Sequence, residues 1–279
     1  LVKKEDIRVA VLRIEGTNCE QESFDAFESL GTNPEFVHLK QILHIDCSKD
    51  EERNLSDFQC IMFPGGFSAG DYIRAGAIFA ARMKSKIGSD LEDYVKSGYP
   101  IIGVCNGFQI LTELGLLPGI KYAMGDIPDA CLNINDSNRF ECRPTYLKHE
   151  NNGKCIFTKK ISKDDIRLIT SANAEKKYLL QKKKKKKYLK ELEENDQIVF
   201  RYVDPDGKYA DYPWNPNGSV ENIAGICNRD GNVFGMMPHP ERVFHRHQHP
   251  DWTRNGLKDN VGDGRAVFES VVDYICKKF

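Results

Sequence analysis

No stretch of about 18 consecutive apolar residues occurs, so the sequence offers no membrane-spanning helix. Neither sign of charge dominates: 40 Lys and Arg stand against 41 Asp and Glu, a net of −1. A dedicated nucleic-acid binder normally carries a clear basic excess, so this balance argues against that class. No CxxC pair is present among the nine cysteines, an odd number. The opening LVKKEDIRVAVLRIEG has no long apolar core followed by small residues, so no secretory signal is expected. The cysteines therefore read as free thiols of a cytoplasmic chain rather than as a disulfide framework. A GxxxxGKS/T phosphate loop is missing, so the chain is not expected to bind ATP itself. The first residue is Leu, and the chain reads as trimmed or as excised from a longer protein.

What is present is ordinary globular composition. The 279 residues are 40% hydrophobic and 29% charged, enough for one or two domains. No repeat and no linker stands out, so a single domain over 1–279 is expected. Ile7–Ile14, Phe36–Leu39, Cys60–Phe63 and Ile101–Val104 are short apolar runs of the kind buried in parallel sheets. Helical spacing fills Cys19–Leu30, Asp71–Lys86, Asp90–Lys96 and Phe108–Leu114 between and after them. This alternation predicts an α/β fold with a mostly parallel sheet. Beyond residue 150 the pattern changes. Lys154–Thr158, Ile166–Thr170, Gln197–Val203, Ile223–Cys227 and Asn232–Met237 read as strands of added hairpins, and Asp263–Lys278 as a closing helix. Lys182–Lys187 is six lysines in a row, followed by Glu191, Glu193 and Glu194. Like charges repel and resist packing, so 176–196 is expected to be a solvated insertion rather than a patch for RNA or an acidic partner.

Open α/β sheets bind ligands at the carboxyl ends of their strands. Two such ends are unusual. One is Phe63-Pro64-Gly65-Gly66-Phe67-Ser68, where paired glycines let backbone N–H groups turn into a shared space. The other is Gly103-Val104-Cys105-Asn106-Gly107, a nucleophile elbow with Cys at its apex. An elbow places the sulfur at a helix N-terminus, which favours the reactive thiolate. The Asn106 N–H and the Gly65-Gly66 turn are then candidates for an oxyanion hole.

A cysteine nucleophile needs a base. His38 and His44 have no acidic partner at short spacing, and His245, His247 and His249 lack the fourth ligand of a metal site. His239 follows the apolar VFGMM run in Pro238-His239-Pro240-Glu241. In an extended segment residues i and i+2 share a side, so Glu241 is placed to hold the imidazole.

Taken together, these motifs resemble the class I (triad) glutamine amidotransferases. RIEGTNC at 13–19, FPGGFSAGDYIRAG at 63–76, GVCNGFQILTELGLLPG at 103–119, NDSNRFECR at 135–143, NPNGS at 215–219 and GMMPHPER at 235–242 narrow the resemblance. They are similar to the glutaminase subunits of phosphoribosylformylglycinamidine synthases of purine biosynthesis. The resemblance implies a flavodoxin-like three-layer sandwich with antiparallel hairpins added to a mostly parallel sheet. It implies Cys105 as nucleophile, His239 as base and acid, and Glu241 as orienter. Backbone at Gly65, Gly66 or Phe67, with Asn106, would hold the oxyanion. Gln109 and the 135–140 segment, with Asn135, Arg139 and Phe140, would touch glutamine. No metal and no cofactor are expected in this chain. ATP and Mg would be used by a synthetase partner, joined by a small bridging subunit. In place of the family's His-Gly-Glu-Gly-like stretch this chain has Ala172-Asn173-Ala174-Glu175-Lys176, which bears on gating or the partner interface and not on the triad. The alternatives are the glutaminase part of another triad amidotransferase, a Cys-elbow ester hydrolase, or a non-catalytic binding module on the same fold.

Overall fold

The computed structural model describes all residues except 121–123, 126, 175–176 and 255–259. The strands are β1 (Arg8–Arg13), β2 (Asn33–His38), β3 (Cys60–Phe63), β4 (Ile101–Val104), β5 (Ala130–Asn133), β6 (Glu141–His149), β7 (Ile166–Asn173), β8 (Lys177–Leu180), β9 (Ile198–Val203), β10 (Ile223–Cys227) and β11 (Val233–Met236). The helices are α1 (Glu20–Glu28), α2 (Leu39–Leu43), α3 (Ala77–Lys96), α4 (Asn106–Glu113), α5 (Lys185–Glu194) and α6 (Arg265–Lys278).

The main sheet has nine strands in the order β2-β1-β3-β4-β11-β10-β9-β6-β7. The first five run parallel, and β10, β9, β6 and β7 each lie antiparallel to the neighbour before them. Order 2-1-3-4 followed by one more parallel strand is the flavodoxin-like arrangement, extended here by an antiparallel half. Successive residues of a strand face opposite sides. Ala10, Leu12, Ile61 and Ile101 accordingly pack with Phe79 and Met83 of α3 and with Leu111 of α4. Val9, Val11, Met62, Ile102 and Val104 pack with Phe27 of α1 and with Val267, Phe268 and Val271 of α6. The result is three layers, helix–sheet–helix, with apolar cores on both faces. β5 and β8 pair as a separate two-stranded sheet. Among the described residues no helix is long and apolar enough to cross a membrane.

Several local expectations change. The two helices expected over Asp71–Lys86 and Asp90–Lys96 are one helix, α3, bent at Ile87, which has φ −127°. Its first residue is Ala77, and Asp71 lies in a preceding turn. The strand expected at Lys154–Thr158 is a 3₁₀ turn over Ile156–Thr158, whose buried side chains pack beneath α6. Its apolar run of three residues is too short to separate strand from turn by periodicity. The lysine segment is solvated at Lys182–Lys187 but is not a bare loop. It winds into α5, which anchors Tyr188 and Leu192 in the core. Those apolar residues stand four apart, on one helical face, and their packing outweighs the repulsion on the other.

Candidate active site

Four parallel strands, β1, β3, β4 and β11, deliver their carboxyl ends to one side of the sheet. The loops after them carry Cys19, Gly65-Gly66, Cys105 and His239. This is the switch point between β1 and β3, where the strand order reverses.

Cys105 sits at the apex between β4 and α4 with φ 56° and ψ −107°, a conformation that L side chains rarely adopt. Both flanking glycines are required by contact. A β-carbon at Gly107 would lie 1.9 Å from the Phe63 carbonyl oxygen, and one at Gly103 would lie 2.6 Å from the Gly107 backbone. The turn is pinned from the sheet side as well, since the Cys105 N–H donates to Met236 O at 2.8 Å. Its Sγ, almost wholly buried, faces Ala172 O at 3.8 Å.

His239 leaves the end of β11 with its N–H donated to Thr170 O of β7 at 2.8 Å. Its Nδ1 lies 2.6 Å from Glu241 Oε1. Pro240–Val243 is a 3₁₀ turn rather than extended chain, so the pairing arises from the turn closing on its own cap and not from strand alternation. A carboxylate only accepts, so Nδ1 carries the proton and Nε2 is turned to the cavity. Nε2 is buried, and the ring interacts with the Cys105 and Cys19 sulfurs. Burial by itself pushes the ring's pKa down, but the Glu241 carboxylate and the Cys105 and Cys19 sulfurs outweigh it. The imidazole is held well above its ordinary value.

The cavity holds about 150 Å³ and is lined by Cys105, His239, Gly66, Phe67 and Phe140, among others. Gly65 backs onto both functional side chains. A β-carbon there would be 2.8 Å from His239 Cε1 and 3.3 Å from Cys105 Cβ. The Phe67 N–H is committed to Gly16 O at 2.8 Å, so of the three backbone groups expected near an oxyanion it is the one already engaged. Asn106 begins α4, and its N–H has no acceptor within the helix.

The remaining expected residues stand back from the cavity. Gln109 is buried, and its Oε1 accepts from Asn106 Nδ2 at 3.2 Å. Asn135 spends its amide on Arg139 O and Asn173 O at 3.0 and 2.9 Å, which ties the 135–140 loop to β7. Arg139 is exposed. Ala172, Asn173 and Ala174 form a wall of the cavity, while Glu175 and Lys176 lie outside the described residues.

Four residues on the cavity wall are not singled out by the sequence pattern: Asn18, Cys19, Asp71 and Arg242. Arg242 Nη2 reaches Cys19 Sγ at 3.2 Å, and its Nε pairs with Glu22 at 3.4 Å. Burial raises the Cys19 thiol's pKa. The signals were present, Cys19 in GTNCE after a strand and Arg242 in PHPER, but both fit a helix start and a surface charge equally well.

Residues 6–275 match the CobB/CobQ-like glutamine amidotransferase domain family. The chain belongs to this family. Among curated amidotransferase relatives is the phosphoribosylformylglycinamidine synthase subunit PurQ of Archaeoglobus fulgidus. It is 54% identical over 276 residues, 98% of this chain and 99% of the relative. The PurQ subunit of Picrophilus torridus is 47% identical over 264 residues, 94% of this chain and 96% of the relative. Among solved structures, PurLQS from Thermotoga maritima superposes with a TM-score of 0.70 at 33% identity, covering 96% of this chain and 99% of the matched one.

Proposed function

We propose that this chain is the glutaminase subunit of a phosphoribosylformylglycinamidine synthase. The observation that carries the reading is a single convergence: a thiol on an elbow, an imidazole anchored through Nδ1, and a cavity between them. Cys105 Sγ attacks the side-chain amide carbon of glutamine. The oxyanion is held by the Asn106 N–H and the Gly65-Gly66 backbone, a class of donor whose loss typically costs about a hundred- to a thousand-fold in rate. His239 Nε2 hands a proton to the leaving nitrogen, and ammonia departs. The γ-glutamyl thioester is then hydrolysed by a water that His239 deprotonates. Glu241 holds the ring in the required tautomer throughout.

Ammonia released into neutral water becomes ammonium, which is no nucleophile. It must pass through protein to a second site, where ATP activates an amide oxygen for replacement. That site, with its ATP and Mg, belongs to a synthetase partner, and a small bridging subunit completes the assembly. The solved relative named PurLQS supports such a complex. We read the chain as one amidotransferase domain acting in the cytoplasm, using no cofactor of its own.

The test is a glutamine analogue bearing an electrophile, followed by peptide mass mapping, together with glutamine-dependent product formation on mixing with the synthetase and bridging subunits. Labelling confined to Cys105, increased by the partners, is expected. Label elsewhere, or ester turnover without glutamine turnover, overturns the reading.

A further inference from the structure

The cavity contains a second sulfur that the glutaminase chemistry does not use. Cys19 Sγ and Cys105 Cβ lie 3.1 and 3.3 Å from one point, the position a β-carbon on Gly65 would occupy. Gly65 has no such atom, so nothing of its own stands between the two cysteines. Both line the same cavity, which is open to small solutes. The His239 ring interacts with both sulfurs. Arg242 Nη2 contacts Cys19 Sγ at 3.2 Å and supplies positive charge to a departing proton's sulfur.

We propose that Cys19 is the resolving thiol of a reversible oxidation site: a hydroperoxide that oxidises Cys105 is answered by a Cys19–Cys105 disulfide. This rests on Cys105 being the reactive thiol of the glutaminase reading. The Cys105 thiolate attacks the peroxide's terminal oxygen, the O–O bond breaks, and a Cys105 sulfenic acid forms as the protonated His239 ring gives its proton to the departing oxygen, which leaves as water or alcohol. Cys19 Sγ then attacks the sulfenic sulfur. The S–S bond forms as the S–O bond breaks, and the sulfenic hydroxyl leaves as water with the Cys19 proton, carried by His239. The peroxide is reduced by two electrons and the two thiols are oxidised by two. Without Cys19 the sulfenic acid has no partner and proceeds to sulfinic and sulfonic acids, which thiol reductants do not reverse. The remaining cavity cysteine thus protects the nucleophile and silences the glutaminase while the disulfide lasts. A thiol reductant reopens it by exchange.

The experiment treats the full chain with hydrogen peroxide, maps peptides by mass spectrometry, and then adds dithiothreitol. Glutaminase activity is read with the synthetase and bridging subunits present. The wild type is expected to lose activity with a loss of two hydrogens located in a cross-link between the Cys19 and Cys105 peptides, and to recover nearly all activity on reduction. Cys19→Ser, measured against its own untreated activity, is expected to gain oxygens at Cys105 and to recover at least about tenfold less. Oxidised wild type without the cross-link, or a variant that recovers as well as wild type, overturns the proposal. The wild-type peptide map decides the matter alone if the variant does not fold. A parallel sample is first exposed to the electrophilic glutamine analogue. Failure to label Cys105 sinks the glutaminase reading, whereas labelling without a cross-link sinks only the disulfide.

Discussion

Glu241 acts on the chemistry only through the ring it holds. Glu241→Gln keeps the shape but offers an amide to Nδ1, and either tautomer is then accepted. A loss of about a thousand- to ten-thousand-fold in glutaminase turnover is expected, with a much smaller change in KM. The same substitution removes one of the charges that hold His239 above its ordinary pKa. A raised folded-state value means that the fold favours the protonated ring. The resulting stability is complete below the unfolded pKa of about 6.5 and is lost as the pH climbs through the folded value. NMR titration of the imidazole nitrogens should show the His239 midpoint above about 6.5 in wild type and lowered in Glu241→Gln. Cys105 carries a second residue-scale consequence. At its positive φ, glycine is the relaxed residue and any β-carbon is strained. Glycine usually costs about 0.5–1 kcal/mol relative to alanine inside an element. Here the order should invert, with Cys105→Gly at least as stable to urea as Cys105→Ala and both inactive.

At the scale of elements, the elbow is a contact between β3, β4 and α4 as much as a turn. Gly107→Ala places a carbon 1.9 Å from Phe63 O, so α4 must move away from β3. A destabilisation of about 3 kcal/mol or more is expected in chemical denaturation, with loss of Cys105 labelling by a glutamine analogue. The need for these glycines was legible in the sequence, because an elbow admits no other residue at the two flanks. So were the parallel strands, whose unbroken apolar runs have few other uses. The hidden parts have physical reasons too. β5 and β8 form a two-stranded sheet whose alternation, ACLN against KYLL, spans four residues each, too short to stand out. α5 is masked by its charge, since its anchoring face is only Tyr188 and Leu192. Tyr188→Ala should cost about 3 kcal/mol, while Lys183→Ala on the solvated side should change stability by less than about 0.5 kcal/mol, both read by thermal melts. Gln109 and Asn135 neighbour the motifs in sequence, and their side-chain bonds run to Asn106 within α4 and to Arg139 O and Asn173 O.

For the molecule as a whole, the cavity mouth is apolar and uncovered. Phe67 and Phe140, which line it, are 46% and 52% exposed, and Tyr72 and Ile73 on the adjoining loop are 74% and 88% exposed. Contiguous apolar surface around a site marks a place where another protein sits. A subunit seated there would also shield ammonia from water. Ile73→Glu should therefore weaken assembly with the synthetase, measured by sedimentation, and lower glutamine-dependent product formation at least about tenfold. Product formation from added ammonium salts should be unchanged. An unaltered complex would rule out this rim as the contact.

The cavity draws on both halves of the sheet. The parallel half supplies the sulfur and the ring, and the antiparallel half supplies β7, which receives the His239 N–H and walls the cavity with Ala172–Ala174. No cut through the chain can then yield a smaller working fragment. Trimming from the carboxyl end removes His239 itself before it reaches β7, and trimming the earlier strands removes the attacking atom. Miniaturisation of this scaffold has to proceed at its outer helices, where α5 and its lysines lie.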